Sequence, residues 1–366
     1  MLKIKDICAY LEKIAPLPLQ ESYDNAGLIV GNPREEVKGV LCTLDSTEEV
    51  VDEAIENGCN LIVAHHPIVF SGLKKLSGNS YIERTIIKAI KNDVAIYAIH
   101  TNLDNVHNGV NAKICEKLGL DNLRILSSGK EALLKLAVFV PQTHVDELLQ
   151  ALGNAGAGKI GDYQNCSFST TGEGRFQPMD SANPFIGKAG GEIEKVKEEK
   201  IEVILPVTKK GKVLQAMYQA HPYEEVAFDI YRLENGNPET GSGMLGNLKN
   251  EMQPLDFLRH LKESMELATI KHTALPQKNI KKVAVCGGSG SFLLTKAMSA
   301  KADIFITSDY KYHQFFDADG KIVIADIGHF ESEKYTRELL VDILTPKFKE
   351  LTIIESKVNT NPINYF

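Results

Sequence analysis

Three short apolar runs in this sequence end in side chains that can bind a cation. His65 and His66 follow LIVA directly, Asp104 closes HTNLD after VAIYAI, and His329 and Glu333 follow KIVIAD. Such runs read as buried strands, and open α/β sheets collect their ligands outside the carboxyl ends of the strands. Adjacent residues on a regular strand point to opposite faces, so the two imidazoles converge only if the chain bends. Pro67 supplies a reason to bend, because it ends the strand's hydrogen-bonding pattern. His329 and Glu333 have the i,i+4 spacing that puts two side chains on one face of a helical turn. Each group also has a plain reading: turn histidines at 65 and 66, a helix cap at Asp104, a loop histidine at His329, and at Glu333 a charge favoured by a helix start. Their convergence on the same end of three strands outweighs these separate readings and points to a metal centre.

Imidazole nitrogen and carboxylate oxygen suit zinc first, with iron, manganese or cobalt as alternatives, and the lack of thiolate argues against a structural zinc. Shared between two ions, five ligands leave positions open and positive charge unbalanced, which a hydroxide and a substrate phosphate would complete. Asp309 and His313, at i,i+4 after ADIFITSD, and His100 in HTNLD are expected to act as acid/base groups or to support the ligands, with helix capping as the plain alternative for Asp309. CGGSGS, with Gly287, Gly288, Ser289 and Gly290, stands between strand and helix as a phosphate cradle would. It carries no Walker or dinucleotide fingerprint, and a tight turn is an equal reading. YDNAGL, with Tyr23, Asp24 and Asn25, reads as a polar turn without chemistry of its own.

The elements that must position these residues form two α/β segments. GVLCTLD, NLIVAHHP and VAIYAIHTNLD alternate with the helical patterns STEEVVDEAIENG and YIERTIIKAIKN. KKVAVCGGSGS, ADIFITSD and KIVIADIGHF alternate with LLTKAMSAK and SEKYTRELLVDIL. Between them lies a duplication, LAVFVPQTHVDELLQAL and IEVILPVTKKGKVLQAM, each a strand, a Pro-x-Thr turn and a helix, followed by a further strand, SFSTTG or AFDIYRL. Two such halves predict a ferredoxin-like α+β unit. The expected architecture is a discontinuous α/β metal-binding domain, 1–126 and 241–366, interrupted by an insert at 127–240 with turn-rich borders.

Composition narrows the function classes. The 366 residues, 43% hydrophobic, suffice for two domains with their own cores. A balance of 41 basic against 48 acidic residues, net −7, gives no global field for a polyanion and argues against nucleic acid as a partner. Six scattered cysteines read as reduced packing residues. MLKIKDICAYLEKIAP lacks the features of a secretory signal, and no stretch reaches the ~18 apolar residues of a membrane helix, so a cytoplasmic protein without membrane attachment is expected.

The set AHHP, HTNLD, TSDYKYH and DIGHFESE, in this order and together with YDNAGLIVG, resembles the GTP cyclohydrolase 1 type 2 family, the NGG-interacting-factor-like dinuclear metal proteins. Where that family usually has tryptophan before the Asp-Asn pair, this chain has Tyr23. The resemblance implies two ions held by His65, His66 and His329 through nitrogen and by Asp104 and Glu333 through oxygen, at least one carboxylate bridging. It also implies a PII- or CutA-like insert, to which HPYEEVAFDIY at His221 to Tyr231 is similar, and a toroidal homohexamer, a trimer of dimers. The implied reaction is hydrolytic opening of GTP to formate and 7,8-dihydroneopterin triphosphate by a metal-activated hydroxide. The same cage would equally serve a phosphoesterase or nucleotide phosphohydrolase, and a non-catalytic ring-shaped binding protein is the reading from a different class.

Overall fold

The structure is a computed structural model and describes residues 1–161 and 163–366, with the backbone alone at 130–132. The chain divides into two compact units, Met1–Ser128 with Thr240–Phe366, and Gly129–Glu239.

The first unit holds two sheets. In one, the order is Gly27–Val30, Ala95–Ala98, Leu61–Ala64, Gly39–Thr43, Thr352–Glu355. The last four strands are parallel and Gly27–Val30 is an antiparallel edge. The three central strands, Ala95–Ala98, Leu61–Ala64 and Gly39–Thr43, are buried on both faces, which is why they read as continuous apolar runs. Val40, Cys42, Leu61, Val63 and Tyr97 face one core, while Leu41, Ile62, Ala64 and Ile96 face another with the helices Glu48–Glu56 and Tyr81–Lys91. Both helices begin at a side-chain cap: Thr47 accepts from Val50 N and Ser80 from Glu83 N.

The second sheet of this unit places Ile280–Ser289, Ile304–Ser308 and Val323–Asp326 in parallel. Residues 244–252 and the strand Lys271–His272 run antiparallel on either side. Val283, Val285, Ile304, Ile306, Val323 and Ala325 share the core that holds Val40 and Leu61, so the two sheets bury one face each in a common apolar layer. SEKYTRELLVDIL, expected as one helix, lies in two: His329–Glu333 and Thr336–Leu344. The first turn buries three consecutive residues, Glu331, Ser332 and Glu333, which no single amphipathic stripe does, whereas the second buries Thr336, Leu340 and Leu344 at helical spacing.

In the second unit, residues 133–141 pair antiparallel with 198–206, and Ser167–Phe176 pairs antiparallel with 194–203. Leu148 and Leu152 of the helix Val145–Ala155, and Val213 and Met217 of Lys210–Ala220, pack on Leu136, Val138, Ile201 and Val203. Both helices are entered alike, because Pro141 and Pro206 lead into the 3-10 turns Gln142–His144 and Val207–Lys209. Among the described residues no helix is long and apolar enough to cross a membrane. The cysteines are free, all but Cys166 buried.

Candidate metal centre

The carboxyl ends of strands from both sheets of the first unit deliver the candidate ligands. Past Leu61–Ala64 the chain bends, as His65 N and His66 N donate to Thr43 O and Leu44 O at 3.1 and 2.9 Å. The bend brings the two adjacent rings to the same side, with centroids 4.9 Å apart. Asp104 closes the short helix Thr101–Asp104 rather than capping the next one. The turn His329–Glu333 sets His329 Nε2 3.1 Å from Glu333 Oε2.

Glu333, with 3% of its side chain exposed, is the centre of the arrangement. Its Oε2 also lies 3.0 Å from His66 Nε2, while its Oε1 lies 3.8 Å from His65 Nε2, which in turn is 3.7 Å from Asp104 Oδ1. The donor atoms form three overlapping groups: His66, His329 and Glu333; His65, Asp104 and Glu333; His65, His66 and His100. Room for Glu333 comes from Gly288, at φ +60, where a Cβ would stand 2.4 Å from Glu333 Oε1.

Each of these imidazoles is oriented from behind. His65 Nδ1 donates to Ile99 O at 2.9 Å, His66 Nδ1 to Asp45 at 2.7 Å, His329 Nδ1 to Asp309 at 2.7 Å and His100 Nδ1 to Asp24 at 2.8 Å. Carbonyls and carboxylates only accept, so every Nδ1 carries a proton and every Nε2 is the atom offered to the centre.

The charges are mutually dependent. Burial opposes charge on His66, but its hydrogen bonds to Asp45 and Glu333 prevail and raise it to about 10. His329, opposed by burial in the same way, is raised to about 9 by Glu333 and Asp309. Burial, with the adjacent Glu333 charge, pushes Asp104 up to about 8. Burial pushes Glu333 upward too, yet His329, His65 and His66 together hold it well below the carboxylate range. Burial likewise disfavours the Asp24 carboxylate, and the hydrogen bonds from His100 and Thr101 overcome it and bring it to about 2.

Two buried atoms, His65 Nε2 and Asp104 Oδ1, have no hydrogen-bond partner. Each such orphan costs about 1–3 kcal/mol. A cation between them satisfies both: ligand atoms about 2.1 Å from one tetrahedral ion lie about 3.4 Å apart, against the 3.7 Å seen here. The donor set therefore fits a divalent ion. It lies on a cavity of about 420 Å³ whose lining includes Tyr23, Phe70, His100, Asp104, Phe292 and Glu333.

His65, His66, Asp104, His329 and Glu333 thus converge, and His100 stands beside them with its ring 5.3 Å from both His65 and His66. Asp309 and His313 do not form a pair. Asp309 sits at φ +60, outside any helical turn, and its carboxylate goes to His329. His313 is exposed against the rings of Tyr312 and Phe316 and does not line the cavity. Two amides of CGGSGS are committed: Gly287 N donates to Asn111 Oδ1 and Gly288 N to Ser332 Oγ, which suits a tight turn making space for Glu333 rather than a phosphate cradle. Sequence reasoning missed Asp45 and gave Asp24 no chemistry, although Asp24 orients His100. Asp45 ends GVLCTLD, a carboxylate at one more strand end, and that was its available signal.

A family model described as Duf34/NIF3 (NGG1p interacting factor 3) matches residues 2–362. The chain is 41% identical to the GTP cyclohydrolase 1 type 2 homolog of Halalkalibacterium halodurans, covering 97% of this chain and 96% of that protein. It is 38% identical to the protein of the same name from Bacillus subtilis, covering 99% and 98%. Among solved structures, a Bacillus cereus protein related to NIF3 superposes with a TM-score of 0.86 at 38% identity, covering 100% of this chain and 99% of that one.

Proposed function

The chain belongs to the Duf34/NIF3 (NGG1p interacting factor 3) family, and on that premise we propose that it is a hydrolase dependent on two divalent ions, zinc before iron, manganese or cobalt, held by His65, His66, Asp104, His329 and Glu333. The observation that carries the proposal is Glu333. Its two oxygens face different nitrogen sets, His66 and His329 on one side and His65 on the other, so one carboxylate would serve two ions. When bound, such ions supply Lewis acidity and a coordinated water that ionises near neutral pH.

The chain's own residues do the rest. Ile99 O, Asp45 and Asp309 hold the ligand imidazoles in one tautomer. Asp24 holds the Nδ1 proton of His100, leaving Nε2 to accept or donate a proton beside the candidate ligands. Tyr23 and Phe70, stacked with centroids 6.2 Å apart on the cavity wall, offer a flat apolar face to a planar base.

The name of the relatives directs the substrate reading to GTP. Incubating zinc- or manganese-loaded protein with GTP and identifying the products by mass spectrometry tests it. Formate with 7,8-dihydroneopterin triphosphate is the expected result, and GMP, GDP or phosphate would establish a phosphohydrolase instead. No metal-dependent turnover of any nucleotide would overturn the enzyme and leave a metal-containing binding protein. We read residues 127–240 as a ferredoxin-like insert of the PII/CutA type, supported by the duplicated strand, 3-10 turn and helix. The family resemblance supports a cytoplasmic homohexamer, a reading that sedimentation velocity giving the mass of one chain would sink.

A further inference from the structure

Thr360 and Asn361 lie on the segment after the strand Thr352–Glu355, remote in sequence from every candidate ligand except those on the turn His329–Glu333. Thr360 nevertheless reaches a group directly behind a ligand, and Asn361 reaches the turn that carries two of them. Thr360 Oγ1 donates to Asp45 Oδ2 at 2.6 Å, and the other oxygen of that carboxylate, Oδ1, accepts from His66 Nδ1 at 2.7 Å. Asn361 Nδ2 donates to Glu331 Oε1 at 3.0 Å, and Glu331 is part of the turn that carries His329 and Glu333.

The segment is anchored where it starts. Ser356 is buried, its amide donates to Cys42 O at 2.8 Å, its hydroxyl to Glu53, and its carbonyl accepts from Arg337. Cys42 lies on the strand that leads into Asp45, so both ends of the Thr360–Asp45 contact are tied to one strand. The geometry matters because an Asp carboxylate turns easily about its terminal torsion. About a third of the Asp45 side chain is exposed, so with one oxygen engaged by His66 and the other free it could turn toward water. A hydroxyl on the second oxygen fixes the plane of the carboxylate, and that plane aims the imidazole.

Resting on the metal-centre reading above, we propose that Thr360 is a positioning residue: it acts through Asp45 on His66, and so on any ion that His66, His329 and Glu333 would hold. An ion held by His65 and Asp104 would lie outside its reach, since His65 is oriented by the carbonyl of Ile99.

The test uses the full chain, stripped of metal, in three forms: parent, Thr360→Val, which keeps the shape and deletes the hydroxyl, and Thr360→Ser, which restores it. Thr360→Ala replaces the valine variant if that one does not fold. Zinc is titrated against a chromophoric chelator, cobalt(II) is added for its visible absorption, and the metal-free proteins are melted. We expect Thr360→Val to weaken one of two zinc sites by about three- to tenfold, below the roughly 10–100-fold typical of a group bonded directly to a ligand. Its cobalt bands should shift, its metal-free melting temperature should match the parent's, and serine should rescue. In an Asp45→Asn background the valine change should add nothing. Affinity equal to the parent's, or a loss of the same size in the Asp45→Asn background, overturns the proposal, as does a loss that merely tracks a lower melting temperature. A parent chain that takes up no zinc overturns the metal reading itself, which the parent titration alone reveals.

Discussion

Loading the metal-free protein with zinc at pH 6 should release about three protons per chain. Three candidate ligands have values above that pH: His66, bonded to Asp45 and Glu333, is raised to about 10, His329, bonded to Glu333 and Asp309, to about 9, and Asp104, buried beside Glu333, to about 8. Each must give up its proton before nitrogen or oxygen can bind an ion. All three are raised, so protons compete with metal below these values and the competition fades as pH passes through them. At pH 9 Asp104 has lost its proton, His329 has lost half and His66 retains most, which leaves about one and a half to be displaced by the ordinary titration relation. The combined affinity for the ions should accordingly rise about a thousandfold from pH 6 to pH 7, tenfold per proton displaced. Calorimetric titration in buffers of different ionisation enthalpy counts the protons directly. An ionising metal-bound water adds protons only toward higher pH, so the value at pH 6 is decisive. Release of fewer than one proton there, or an affinity flat from pH 6 to 7, would refute the argument that these groups share one buried cage.

Because Glu333 faces both nitrogen sets and Asp104 only one, Glu333→Ala should abolish uptake of both ions while Asp104→Ala retains one, as read by metal analysis after gel filtration. Equal stoichiometry in the two variants would contradict the shared carboxylate. Gly288→Ala places a methyl 2.4 Å from Glu333 Oε1 at φ +60. It should lower stability by about 1–2 kcal/mol and weaken zinc by at least about tenfold, so parental affinity in a chelator competition would show that the close approach does not matter. Asp24, its side chain fully buried, is lowered from 3.8 to about 2. Its contribution, about 2 kcal/mol, is complete above the ordinary carboxylate value and lost as pH falls through about 2. Melts between pH 4 and pH 2 should therefore flatten in Asp24→Asn, and a variant as acid-sensitive as the parent would falsify this.

Local pattern made much of this protein legible. Runs such as LIVA and VAIYAI are apolar on both faces because the parallel sheet is covered on both, and the covering helices announce themselves through amphipathic spacing and the caps Thr47 and Ser80. The duplicated Pro-x-Thr turns are local too, since proline ends a strand whatever surrounds it. His329 and Glu333 needed only helical geometry to be paired. Spacing says less where it runs beyond an element. Asp309 and His313 share the same separation, but Asp309 is in a left-handed conformation, and its carboxylate reaches His329, the supporting role that was one of its two expected readings, rather than His313.

What the sequence by itself determined is therefore the inventory: which residues end the strands, which of them can bind a cation, and the family to which that order of motifs belongs. What only the tertiary structure decided is how they are shared. Asp45 reaches His66 because Gly39–Thr43 lies beside Leu61–Ala64 in the sheet, and Asp24 reaches His100 because it precedes the edge strand paired with Ala95–Ala98. Glu333 serves two nitrogen sets because Gly288, on a strand of the other sheet, leaves the space that its carboxylate occupies. Strand order and the packing of two sheets on one core create these contacts between residues tens to hundreds of positions apart, and no local periodicity encodes such distances.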